Sequence, residues 1–156
     1  MKNKICLLLT ALLSATMLTA CGEDPALTQF RKSMDDFCKK VAEINTGINA
    51  IDATSENAPE ELLTYLDDLE IIFESFGRLD FPEEFDYLEP IADEASSYMT
   101  DAVANYHEAY SNGSYNEYTA AYASQIYERA YKRVQIIISF LHGEEPEDTD
   151  IEYTTE

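Results

Sequence analysis

Two stripes of apolar side chains that match one another across a turn constrain this chain more than any other feature. If two antiparallel helices reverse near residues 112–113, facing positions carry numbers that add to about 225. Tyr110 then meets Tyr115, Val103 meets Tyr122, Ala102 meets Ala123, Met99 meets Ile126, Tyr98 meets Tyr127, Ala95 meets Ala130 and Ile91 meets Val134. Every one of these side chains is apolar or aromatic, as amphipathic helices sharing a core require. Alanine facing alanine at two levels lets the backbones approach closely.

Two more helices precede this hairpin. Leu27, Phe30, Met34, Phe37, Val41, Ile44, Ile48 and Ile51 follow one another at intervals of three and four, a single seam on one helix. Asp24 as N-cap and Pro25 at the first helical position start it. Charges four apart, such as Arg31 with Asp35 and Asp36 with Lys40, decorate the outer faces. Gly47 weakens the last turns, and residues 53–57 read as a connection. The second helix begins near Ala58-Pro59-Glu60-Glu61, carries Leu62, Leu66, Leu69, Phe73 and Phe76 on one stripe, and ends at Gly77. Asp80-Phe81-Pro82-Glu83 resembles a capping box for the third helix, which Pro90 breaks or kinks, leaving a main run from Ile91 to about Tyr110. Gly113 suits a left-handed stop, Ser114 with Glu117 reads as another capping box, and the fourth helix runs to His142 before Gly143. The expectation is an all-α fold, a single antiparallel, up-down-up-down four-helix bundle over residues 25–143. A three-helix bundle with the second helix lying across it is the alternative. Residues 144–156 hold seven acids and no base, and read as a disordered acidic tail.

The chain opens differently. Lys2 and Lys4 precede a mainly apolar, uncharged run from Ile5 to Leu18, a secretory signal too short to span a bilayer as a helix. The run ends in Leu18-Thr19-Ala20-Cys21, which resembles the lipobox of bacterial lipoproteins. The resemblance implies removal of residues 1–20, thioether-linked diacylglycerol on Cys21, and residues 21–24 as a short tether. It places the chain on the extracytoplasmic face of a cell membrane, lipid-anchored, with plasma and outer membrane both open. Gly22 follows the cysteine, in place of the aspartate that resembles an inner-membrane retention signal.

Charge narrows the partners. All 31 acidic residues lie after residue 20, against eight of the ten Lys and Arg, for a formal charge of −23. Between Asp52 and Glu108 there are 17 carboxylates and one base, Arg78. Like charge disfavours nucleic acid and anionic polymers, while cations, basic peptides or a basic protein face fit. Cys6 leaves with the leader and Cys21 takes lipid, so Cys38 alone remains, a small hydrophobe beside the first seam that cannot pair within the chain.

A di-iron bundle needs Glu-x-x-His, and the residues three before His107 and His142 are Ala104 and Ser139. There is no strand-turn nucleophile elbow, no haem-attachment motif and no glycine-turned calcium loop. Asp67, Glu70 and Glu74 on the second helix, and Glu89, Asp93 and Glu94 on the third, are candidates for holding a divalent cation through oxygen ligands. Arg129, Lys132 and Arg133 form a basic cluster expected to face acids of the second or third helix. Most of the eleven tyrosines fall between Tyr98 and Tyr131, where they thicken the core with hydroxyls at the rim or line an amphipathic contact face. The expected function is a non-enzymatic binding or accessory module without cofactor, meeting an envelope protein or basic peptide. A small-ligand or divalent-cation binder is the second reading.

Overall fold

The computed structural model describes residues 24–111 and 115–144. Residues 1–23, 112–114 and 145–156 lie outside the described residues, and with them the expected leader, lipid on Cys21, stop at Gly113 and acidic tail. The chain is an all-α, four-helix bundle: α1 Pro25–Ala50, α2 Ala58–Gly77, α3 Glu89–Ala109 and α4 Glu117–Leu141.

Each helix starts and stops for a local reason. The Asp24 carboxylate accepts the Ala26 N–H at 2.9 Å, and Pro25 needs no partner for a missing N–H. After Ile51, Asp52 turns the chain by accepting the N–H of Thr54 at 3.0 Å and its hydroxyl at 2.7 Å. Those two bonds hold the Asp52 carboxyl below its ordinary range. Pro59 lies in the first turn of α2, with Glu60 and Glu61 where the helix dipole favours them. At the far end of α4, Gly143 takes φ 72°, its N–H reaches the Phe140 carbonyl at 2.9 Å, and the Glu144 N–H reaches the Ser139 carbonyl at 2.9 Å. This doubly bonded left-handed stop is the one expected from Gly143.

Two expected caps are corrected. Asp80 and Glu83 form no capping box: Glu83–Leu88 is a 3-10 helix preceded by Pro82, with no side-chain cap. The apolar residues of that segment explain it. Phe81 and Leu88 are buried, Phe30 and Phe81 lie with ring centroids 4.7 Å apart, and Tyr87 meets Phe140 edge-on at 5.8 Å. The segment follows its aromatic contacts across the end of the bundle, and Pro90 falls in the first turn of α3, where it is tolerated. For α4, the cap is Asn116, whose side-chain oxygen accepts from Tyr118 and Thr119 at 3.1 and 3.2 Å. The spacing points to Ser114, which lies outside the described residues; the N-cap of α4 is Asn116.

The hairpin register agrees with the matched stripes. The Asn116 N–H donates to the Ala109 carbonyl at 2.8 Å, closing the turn end of α3 and α4. Ala95, Ala102, Ala123 and Ala130 are fully buried between these helices. Tyr122 departs from the pattern: Val103 is buried, but Tyr122 points outward and Ala123 takes the inner position. On the other side, Gly77 lets α2 close on α3, since a Cβ there would stand 2.8 Å from that of Ser96. Phe37 of α1 packs against Phe73 and Phe76 of α2 at 5.3 and 4.3 Å.

Two substitutions probe this packing. Ala102→Leu keeps helix propensity but overfills the α3–α4 seam, and is expected to lower urea-unfolding stability by about 1–3 kcal/mol. Gly143→Ala forces a Cβ into the left-handed region and should cost about 1 kcal/mol; no loss would mean that the α4 stop is unformed in solution.

Candidate functional site

The acidic residues singled out in the sequence do not converge. Asp67 on α2 meets His107 on α3, Oδ1 to Nε2 at 2.6 Å, with both side chains about half exposed. Glu74 reaches Arg78 one turn on, at 3.4 Å. Glu70 is half-buried on α2, and Glu89 and Asp93 are exposed along the start of α3. Among the described residues, no group of three or more His, Cys, Asp or Glu is placed to hold a metal ion. Glu94 instead pairs across the hairpin with Arg133, whose Nε donates to it at 3.0 Å while the guanidinium sits 4.9 Å above the Tyr98 ring. The basic cluster thus does face α3 through Arg133. His142, the C-cap of α4, is exposed.

The Cys38 thiol is half-buried, and burial together with the neighbouring Asp35 carboxylate pushes it up to about 11. At neutral pH it stays protonated and is a poor nucleophile.

The tyrosines divide into two sets. Tyr127 and Tyr131, one turn apart on α4, lie flat against the core with ring centroids 4.7 Å apart. Their hydroxyls meet Asn45 of α1: Asn45 donates to Tyr131 at 3.1 Å, Tyr127 donates to Tyr131 at 3.1 Å, and each hydroxyl stands 3.3 Å from the Asn45 side-chain oxygen. This part-buried triangle joins the first helix to the last. Burial raises the ionisation range of both phenols, with the neighbouring Tyr131 adding to the effect at Tyr127. The sequence offered a faint signal for it, a polar Asn45 beside an otherwise apolar seam.

The second set is exposed. Tyr115, Tyr118 and Tyr122 keep 59, 89 and 55% of their surface in solvent. Tyr110 packs on Tyr115, with ring centroids 5.2 Å apart. These rings stand where α4 begins, at the end of the bundle shared by the α3–α4 connection. The helical spacing carried a signal for this too: Ala120, Ala123 and Ile126 take the inward positions, which turns residues 118 and 122 away from the core. Ile71 of α2 is also exposed, beside an open groove of about 300 Å³ lined by Lys40, Glu43, Ile44, Asp68 and Ile72.

Among the described residues, no helix is long and apolar enough to cross a membrane. No known family, curated protein or solved structure matches the chain.

Alkaline titration probes the Tyr127–Tyr131 pair. Tyr127 and Tyr131 have folded ionisation ranges raised above the ordinary 10. The stability that their neutral forms contribute is therefore complete below pH 10 and is lost as pH climbs beyond it, because the unfolded chain releases these protons first. Circular dichroism should show helix loss above pH 10, accompanied by a steep step in phenolate absorbance. Tyr127→Phe should shrink that step and, by leaving Asn45 and Tyr131 short of a partner, cost about 1 kcal/mol at neutral pH.

Proposed function

We propose that the chain is a membrane-anchored extracytoplasmic lipoprotein, a non-enzymatic binding or accessory module for an envelope protein or a basic peptide. The address rests on Leu18-Thr19-Ala20-Cys21 at the end of an uncharged apolar run. Lipid on Cys21 would contribute about 0.8 kcal/mol for each methylene buried in the bilayer, enough for firm anchoring with two or more chains. The capped start of α1 at Asp24-Pro25 leaves only Gly22 and Glu23 between the lipid and the folded body, so the bundle is held close to the headgroups.

The binding role is supported by where the polar and apolar surfaces lie. No polar or charged side chain is buried among the described residues, and the polar atoms of the Asn45–Tyr127–Tyr131 triangle bond to one another rather than point into a cavity. What the bundle presents outward is a strongly acidic surface interrupted by large exposed side chains, Ile71, Tyr115, Tyr118 and Tyr122. A filled apolar core with apolar groups left in water favours contact with a macromolecule over enclosure of a small ligand.

Replacing the lipid-bearing cysteine tests the anchor. Cys21→Ser in a host with lipoprotein processing should accumulate as an uncleaved, unacylated precursor, while the parent appears at mature size, carries labelled palmitate and enters the detergent phase. A mature, lipidated Cys21→Ser product would defeat the proposal. Thermal unfolding tests the second reading: millimolar calcium should shift the midpoint no more than sodium chloride of equal ionic strength does, because it only screens the surface. A saturating rise of many degrees would move the function to cation binding.

A further inference from the structure

The lysines and arginines of the bundle lie at its middle or toward one of its ends. The up-down-up-down path puts the start of α1, the α2–α3 segment and the end of α4 at one end, and the α1–α2 and α3–α4 connections at the other. Lys39, Lys40 and Arg129 stand near the middles of α1 and α4, and Arg31, Lys32, Arg78, Lys132 and Arg133 lie toward the end where the chain enters. Residues 41–77 and 79–128 contain no Lys or Arg. The far half therefore exposes Asp52, Glu56, Glu60, Glu61, Glu108 and Glu117 with no ammonium or guanidinium group of its own to offset them. Tyr115, Tyr118 and Tyr122 are exposed at that same end. Tyr118 and Tyr122 are one turn apart and share a face of α4.

The near half shows what such groups bind. There Arg133 places its guanidinium 4.9 Å from the Tyr98 ring centre while its Nε donates to Glu94 at 3.0 Å. An arginine held between an aromatic face and a carboxylate satisfies the planar cation in both its stacking and its hydrogen-bonding directions. At the far end the aromatic faces and the carboxylates are both present, and the arginine is not.

We propose that Tyr115, Tyr118 and Tyr122, together with Glu108 and Glu117, form the docking surface for an arginine-containing segment of a partner protein. The assignment deepens the binding role proposed above and rests on the lipid anchor only for the direction in which the surface faces. With Cys21 in a membrane and the bundle upright, the rise of about 1.5 Å per residue along α4 carries these tyrosines roughly 30 Å or more outward from its near end, away from the headgroups.

The test is fluorescence anisotropy of a labelled peptide of alternating arginine and serine, titrated with the full chain in detergent micelles at about 150 mM salt, where distant charges are screened. Tyr115→Ser/Tyr118→Ser/Tyr122→Ser should weaken binding about tenfold or more, a lysine version of the peptide should bind more weakly than the arginine one, and Glu83→Gln/Glu84→Gln at the opposite end should change affinity less than about twofold. The triple variant gives up the Tyr115–Tyr110 ring contact and should melt slightly below the parent; Tyr118→Ser alone, at the most exposed of the three, leaves that contact in place and supplies a milder version of the same test. Undetectable peptide binding, equal binding by the triple variant, or an equal loss in the Glu83/Glu84 variant would overturn the assignment, the last by showing diffuse attraction to net charge. Tyrosine-dependent binding to phosphatidylglycerol vesicles in place of the peptide would also overturn it, assigning the surface to a membrane. None of these outcomes bears on processing at Cys21, so failure of the docking surface and failure of the anchor are read separately.

Discussion

Close approach of α3 and α4 is the constraint on which the rest of the bundle depends. Ala95 and Ala102 on one helix, and Ala123 and Ala130 on the other, are fully buried, so methyl groups rather than branched side chains separate the two backbones. The Asn116 to Ala109 hydrogen bond fixes their stagger. With the hairpin so drawn together, the larger residues of its inner faces, Met99, Val103, Ile126 and Val134, are free to meet the other helices. Gly77 then brings α2 against Ser96, the phenylalanines of α2 receive Phe37 from α1, and Asn45 reaches Tyr127 and Tyr131 to tie the first helix to the last. Polar bonds at that last contact contribute modestly to stability, but they specify one register where apolar contact alone would accept several.

The two ends of the bundle are built from different materials. At the end where the chain enters, Phe30, Phe81, Phe85 and the Tyr87–Phe140 pair close the core with aromatic rings, and the basic residues gather along that half. At the other end, acids with no lysine or arginine among them share the surface with tyrosines that the core does not take in. Placing 24 of the 31 acidic residues on so small a described body opposes folding through self-repulsion, and the buried apolar interior offsets it. Such a distribution suits a body whose near end serves attachment and whose far end serves contact, the division that the proposed anchor and binding role require.

Much of the fold was legible because helix periodicity and turn chemistry agreed. The α1 seam, the α2 stripe, the Asp24 cap and the Gly143 stop all stand as the residues imply. What was not legible depended on tertiary packing. Asp80 and Glu83 have the spacing of a capping box, but burial of Phe81 and Leu88 pulls that stretch into a 3-10 helix. Asn116, directly before the helix, is the cap of α4, where the spacing points to Ser114. Numerical pairing placed Tyr122 opposite Val103, but a helix turns 100° per residue, and the pairing could not tell an inward position from its outward neighbour. The carboxylates of α2 and of α3 read as two candidate groups for holding a cation; in the bundle Asp67, Glu74 and Glu94 each find a separate cationic or imidazole partner, an arrangement no linear spacing reveals.

The anchor is the point from which the functional account extends, and the native N-terminus reports on it directly. Trypsin should release the peptide from Cys21 to Arg31, since no Lys or Arg intervenes, and mass spectrometry of that peptide from the native protein reads its modification. The account expects a mass increased by a thioether-linked diacylglycerol, with no peptide extending upstream of Cys21. An unmodified Cys21 within a longer peptide beginning at Ile5 would contradict it.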